Sequence, residues 1–106
     1  MIARVWRGIA VPETVHTYLE HLQGSVLPEL SQIDGFCGAY VLRRDVEAGV
    51  EVTVQTLWAS IDAIRQFAGE HVTTAVVAPA AQPLFRSYDA LVTHYEIVLQ
   101  AGQNSQ

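Results

Sequence analysis

An α+β fold with a four-stranded antiparallel sheet is what this sequence predicts, and three observations predict it. Stretches rich in β-branched and aromatic residues stand at 2–9, 36–44, 50–58 and 90–99. Two segments with apolar residues at helical spacing lie between them, one near 12–31 and one near 61–68. The 45–49 stretch is short enough to join its flanking strands as a hairpin. The order is therefore strand, helix, strand, strand, helix, strand.

Each element has a local reason. In the first strand, Ile2, Val5, Trp6 and Ile9 are good β-formers. Pro12 suits the first turn of a helix, and Glu13 complements its positive end. Val15, Tyr18, Leu19, Leu22 and Val26 then form one apolar stripe. Gly24 and Pro28 interrupt it, so the helix should weaken near Gly24 and a short second piece should run to about Ser31. Asp34-Gly35 is a turn. The third strand alternates cleanly, with Val50, Val52, Val54, Thr56 and Trp58 on the face expected to meet the helices. Ser60 is a good N-cap for a helix carrying Ile61, Ile64, Phe67 and Ala68 on one side, which Gly69 ends. Val72, Ala75 and Val76 can add a helical turn or two before Pro79 and Pro83 enforce a loop. A single domain over 1–100 is expected, followed by a polar, disordered tail at 101–106.

This order matches the split βαβ arrangement of ferredoxin-like folds, with helices on one face of the sheet only. With 106 residues, half of them apolar and only 16% charged, the chain has more greasy surface than a small monomer can hide. A homodimer is the expected resolution, a second sheet covering the bare face. The net charge is −5 and no basic run exceeds Arg43–Arg44, which leaves no footprint for nucleic acid. No apolar run approaches the roughly 18 residues of a membrane span. The single cysteine, Cys37, cannot form an internal disulfide, so a cytoplasmic protein is expected.

The sequence resembles the antibiotic biosynthesis monooxygenase family, the dimeric α+β barrel proteins, over nearly its whole length. The carriers are Ile2-Ala3-Arg4-Val5-Trp6-Arg7-Gly8, the Tyr40-Val41-Leu42-Arg43-Arg44 strand, the Leu57-Trp58-Ala59-Ser60-Ile61-Asp62-Ala63-Ile64 junction with Phe67-Ala68-Gly69, and His94-Tyr95-Glu96-Ile97-Val98. The resemblance implies a dimeric barrel and a small-molecule oxygenase using neither metal nor flavin. It also implies a test for heme degradation. That branch uses an Asn on the first strand, a Trp in the second helix and a His beyond it. The matching positions here are Trp6 or Arg7, Phe67 and about Val77, so heme degradation is not expected. Close relatives carry Tyr and acidic residues near Pro79, whereas residues 76–81 here are all apolar. Fold does not settle function.

Cofactor-free oxygenation needs an enclosed apolar pocket and a base that makes an electron-rich substrate anion. His94 is the expected base, with Glu96 on the same strand face to orient it or raise its pKa; it can equally be a histidine satisfied in the dimer interface. Trp58 and Trp6 are expected to line the pocket, or to fill the core with the indole N–H on a carbonyl. Arg4 and Arg7 differ by three residues and so point to opposite faces. Either can anchor an anionic substrate, or pair with an acid such as Glu51 or Glu96. Arg7, Tyr40 and Phe67 join the expected substrate contacts. His16 and His21 are five apart, on different helical faces, which argues against a metal pair. Cys37 lacks a partner that would activate it, and no Gly-rich nucleotide motif occurs. The ligand is therefore expected to be a small apolar or aromatic molecule, with a non-catalytic, ligand-binding or stress-response dimer of the same fold as the alternative.

Overall fold

The computed structural model describes residues 1–102. Of the tail expected over 101–106, residues 103–106 lie outside the described residues. The elements are β1 (Ile2–Ala10), α1 (Pro12–His21), α2 (Leu27–Leu30), β2 (Phe36–Val46), β3 (Gly49–Trp58), α3 (Ile61–Ala68), β4 (Phe85–Tyr88) and β5 (Thr93–Glu96). Every strand pairing is antiparallel, and the sheet runs β2-β3-β1-β4, with β5 also on β1.

The sheet corrects the expected four strands. In place of one closing strand at 90–99 there are two short ones on the same edge of β1. β4 faces Gly8–Ala10 and β5 faces Ile2–Val5. Between them the chain leaves the sheet edge to meet residues 73–75: Ala75 N–H donates to Ala90 O at 2.9 Å, and Val92 N–H to Thr73 O at 2.8 Å. The extra helical turns expected around Val72–Val76 are absent. That stretch instead makes a turn at 72–73 and then runs on as a non-helical strap, joined to Leu91 by a single bridge at Thr74. Thr74 N–H closes a local turn on His71 O at 3.0 Å, while Ala75 N–H and Thr73 O find their partners across the strap in residues 90–92.

As expected, the first helix weakens near Gly24 and a short piece, α2, follows it. The chain changes pitch there: residues 22–26 are π-helical, and Leu27 N–H donates to Leu22 O five residues back. Pro28 has no N–H to offer the Gly24 carbonyl, and glycine tolerates the altered winding. The wider turn lets Leu22 and Val26 lie over the sheet, and such turns are frequent at functional sites. At α3 the expected cap is present, Ala63 N–H donating to Ser60 Oγ at 3.1 Å, and Gly69 ends the helix at φ 79°.

The helices pack on the face expected from β3. One cluster joins Trp6, Ala10, Val15, Tyr18, Leu22, Val50 and Val52; the other joins Leu30, Trp58, Ala63 and Ile64. A Cβ on Gly8 would stand 2.7 Å from the Phe85 ring and 2.9 Å from Trp6, so glycine there admits the edge-on Trp6–Phe85 pair. Gly35, at φ 95°, lets the β2 approach cross α3 where a Cβ would lie 2.6 Å from that of Ala63. On the opposite face of the sheet, Tyr40, Leu42 and Tyr95 are each more than half exposed.

Replacing Ser60 with Ala should cost about 1 kcal/mol of stability, the usual worth of an N-cap. Urea denaturation would measure it; an unchanged midpoint would mean that the cap contributes nothing.

Candidate functional site

The inward face of the sheet carries apolar residues at its two ends and a polar row between them. Strand register sets Arg4 of β1 opposite Thr56 of β3 and opposite His94 of β5. Ile2 and Trp6 flank Arg4 on its own strand, and Val54 and Trp58 flank Thr56. A cavity lies over this row, between the two core clusters. Its floor is Arg4, Trp6, Val54 and Thr56; its helical walls include Tyr18, His21, Leu22 and Val26; the strap adds Val76, Val77 and Ala78. The enclosed part holds about 70 Å³, and the cleft counted out to its mouth about 580 Å³. The first figure is below that of a benzene-sized cavity, and the second includes open solvent at the mouth. A ligand larger than a few atoms therefore extends into the mouth.

Arg4 is 4% exposed, yet no carboxylate meets it among the described residues. Its Nη1 donates to Val72 O and lies 3.1 Å from His94 Nε2; its Nη2 donates to Thr74 O at 3.0 Å. The guanidinium also sits 5.8 Å from the Phe67 ring centroid, a cation–π contact. Neither Glu51 nor Glu96 pairs with Arg4, which corrects that expectation; Glu51 is held by Arg44 at 2.9 Å on the other face. Burial pulls the Arg4 pKa down to about 10, so it stays cationic at neutral pH.

His94 is half-buried behind Arg4 and is not part of the cavity wall. Burial first, and then the Arg4 charge, hold its pKa below the ordinary value. This reverses the expected influence of Glu96. The imidazole is thus neutral at neutral pH, its Nε2 accepting from Arg4. Trp58 follows the core alternative: it is 0% exposed and outside the lining, and its indole N–H donates to Thr56 Oγ1 at 2.8 Å rather than to a carbonyl. Trp6 does line the cavity, with its indole N–H on Asp89 O at 2.9 Å. Phe67 lines it too and stacks on Trp58. Arg7 and Tyr40 correct the expectation: their register, Arg7 on Thr53 and Tyr40 on Gln55, puts both on the opposite face of the sheet.

Two lining groups were missed by reasoning from sequence. His21 stands three residues after Tyr18 and shares its helical face, a spacing overlooked when His21 was weighed only against His16. Tyr18 was assigned to the core, and it is buried; its hydroxyl nevertheless makes no hydrogen bond among the described residues and is not sealed off, so it opens on the cavity. Burial raises its pKa, which keeps it a neutral donor. No group of three metal-ligating side chains exists among the described residues, and no helix there is long and apolar enough to cross a membrane.

Against this geometry, solved structures match over almost the whole chain. A Bacillus cereus protein described as an antibiotic biosynthesis monooxygenase aligns with a TM-score of 0.68 and 17% identity, covering 99% of this chain and 98% of its own. The fold is that of the antibiotic biosynthesis monooxygenases. A Streptomyces coelicolor monooxygenase from the gene ActVA-Orf6, in complex with nanaomycin D, has a TM-score of 0.56 and 19% identity over 95% of this chain and 91% of its own. The heme-degrader MhuD from Mycobacterium tuberculosis, with two hemes bound, has a TM-score of 0.61 and 22% identity over 96% and 100%. At such identities the monooxygenase likeness is one of fold. No family model matches the sequence, and neither does any curated protein.

His94 gives the fold a definite pH response. A histidine with a depressed native pKa binds fewer protons folded than unfolded, so its contribution is complete above the ordinary value near 6.5 and is lost as pH falls through the native one. Thermal melts from pH 8 to pH 5 should show stability falling on the acid side, and His94→Gln, which keeps an acceptor for Arg4, should flatten that fall. An identical pH slope in the variant would remove His94 from the account.

Proposed function

We propose that this protein is a cofactor-independent monooxygenase acting on a small aromatic or polyketide-like substrate. The observation that carries the reading is the convergence of Arg4, Tyr18 and His21 on one cavity whose other walls are almost wholly apolar. A pocket packed shut, or one without polar groups, would favour simple structural use of the fold. The net reaction is oxidation of an activated CH₂ to a ketone: one oxygen atom of O₂ enters the product and the other leaves as water with the two hydrogens. His21 is the imidazole on the cavity wall and takes the first proton, with Tyr18 as a neutral donor to the substrate oxygen. Low polarity around the resulting anion strengthens every charge interaction it makes. His94 touches no substrate in this scheme and acts as a positioning residue through Arg4.

Heme is not accommodated by these residues. The strap segment near the position where the heme-degrading branch carries its His offers only Val76, Val77 and Ala78 to the cavity. Nothing in the proposed chemistry passes through that group.

The working unit in this proposal is a homodimer in the cytoplasm. The sheet face bearing Tyr40, Leu42 and Tyr95 leaves these large apolar side chains uncovered, and a second copy is the cover that a sheet of this kind can use. The exposed thiol of Cys37 suits a reducing compartment. The all-apolar strap supports a second reading, a dimeric ligand-binding protein of this fold without catalysis.

Oxygen uptake with anthrone distinguishes the two. The monooxygenase should consume O₂ and yield anthraquinone, with His21→Ala slowed about a hundredfold; uptake no faster than buffer would leave the binding protein. Sedimentation at micromolar concentration should show a dimer, and a stable monomer would overturn the proposed assembly.

A further inference from the structure

Arg4 is an expensive residue in its position. A cation taken out of water is tolerated when a carboxylate or comparable anion compensates it. This chain carries 11 acidic residues, yet none meets Arg4 among the described residues. Its present partners are two carbonyls, a neutral imidazole and an aromatic face. Tying the strap to the sheet does not require the charge, because a neutral amide can serve two carbonyls as well. The guanidinium is also incompletely used. Nη1 and one hydrogen of Nη2 are engaged, which leaves Nε–H and the second Nη2 hydrogen without an acceptor. No polar side-chain atom is both sealed and unpartnered, so Nε meets open space, and the open space beside Arg4 is the cavity.

We propose that Arg4 makes this cavity selective for aromatic ligands that carry an anionic oxygen, with that oxygen taking the unused guanidinium N–H groups and the apolar remainder lying along Trp6, Val26 and Val54 towards the mouth. The inference rests on the ligand-binding use of the cavity proposed above, and it narrows the ligand class. Charge-assisted hydrogen bonds of this kind are about twice as strong as neutral ones, and burial protects them from screening by salt. Arg4 is then the specificity-determining residue, and His94 and the Val72 and Thr74 carbonyls hold its fork in place.

The test compares two isosteric probes that undergo no oxygen chemistry here, 2-naphthoate and its neutral amide 2-naphthamide, by titration calorimetry on the whole protein. Naphthoate should bind at least about tenfold more tightly, a difference of roughly 1.4 kcal/mol. The ratio should shrink in Arg4→Lys, which keeps the charge without the fork, and vanish in Arg4→Met. Should Arg4→Met not fold, the ratio in the unaltered protein and its decline in Arg4→Lys decide. Equal binding of the two probes, or an unchanged ratio in either variant, overturns the charge selectivity while leaving the cavity as a ligand site. Binding of neither probe removes the cavity as a ligand site and the inference with it. Oxygen uptake is not read in this experiment, so its outcome is separable from that with anthrone.

Discussion

One buried cation organises this molecule. Arg4 lies on the central strand β1, flanked by Thr56 and His94 on the inward face of the sheet. Its guanidinium needs acceptors, and the chain supplies them from a segment almost seventy positions away, the carbonyls of Val72 and Thr74. The strap's Val72 and Thr74 carbonyls serve Arg4, while its Ala75 N–H and Thr73 O pair with residues 90–92. A helix over the same residues would consume those groups internally. The absence of the expected helical turns and the split of the closing strand are therefore one event, since the strap can pair with residues 90–92 only where they leave β1.

The same cation explains why the interior holds a cavity instead of a continuous core. Two apolar clusters form at the two ends of the sheet, each with its own tryptophan. Trp58 is closed in by Phe36, Phe67 and Ile64 and finds its hydrogen bond in the adjacent Thr56. Trp6 packs with Tyr18 and Phe85 and reaches the Asp89 carbonyl. Between them the polar row of His94, Arg4 and Thr56 offers nothing for a helix side chain to pack against. The π-helical turn at 22–26 spans that gap, presenting Leu22 and Val26 as walls without filling it. Packing at native density is thus interrupted at the one place where the sheet is polar.

Much of this was legible in the sequence, and the limits have physical causes. Alternation in β3 assigned the buried face correctly, because period-2 patterning depends only on neighbours along the strand. The Ser60 cap and the Gly69 stop were equally local. Parity also separates Arg4 from Arg7, but it does not say which of them faces inward. That choice depends on register with β3, which pairs residues some fifty positions apart. Tyr40 was misplaced for the same reason, since its neighbours Val41 and Ala39 are apolar too and its strand gives no clear alternation. The strap was illegible because its conformation is set by Arg4, and its own composition, Val72 through Ala78, is compatible with helix or strand.

The two faces of the sheet divide the labour that a chain of this size must accomplish. The face towards the helices has given up part of its core to a cavity, and so it buries less apolar surface than a filled interior would. The opposite face carries Tyr40, Leu42 and Tyr95 in the open, and these can recover that loss only in contact with another surface. A small domain that keeps a pocket within its only core has little stability to spare. In the homodimer proposed above, association through the outer face and a ligand in the inner one would be linked, because each adds burial that the isolated fold lacks. In the dimer and ligand site proposed above, a substitution at Leu42, on the other side of the sheet from the cavity, would weaken ligand binding through the fraction of folded, assembled protein, whereas one at Arg4 would act on the ligand directly.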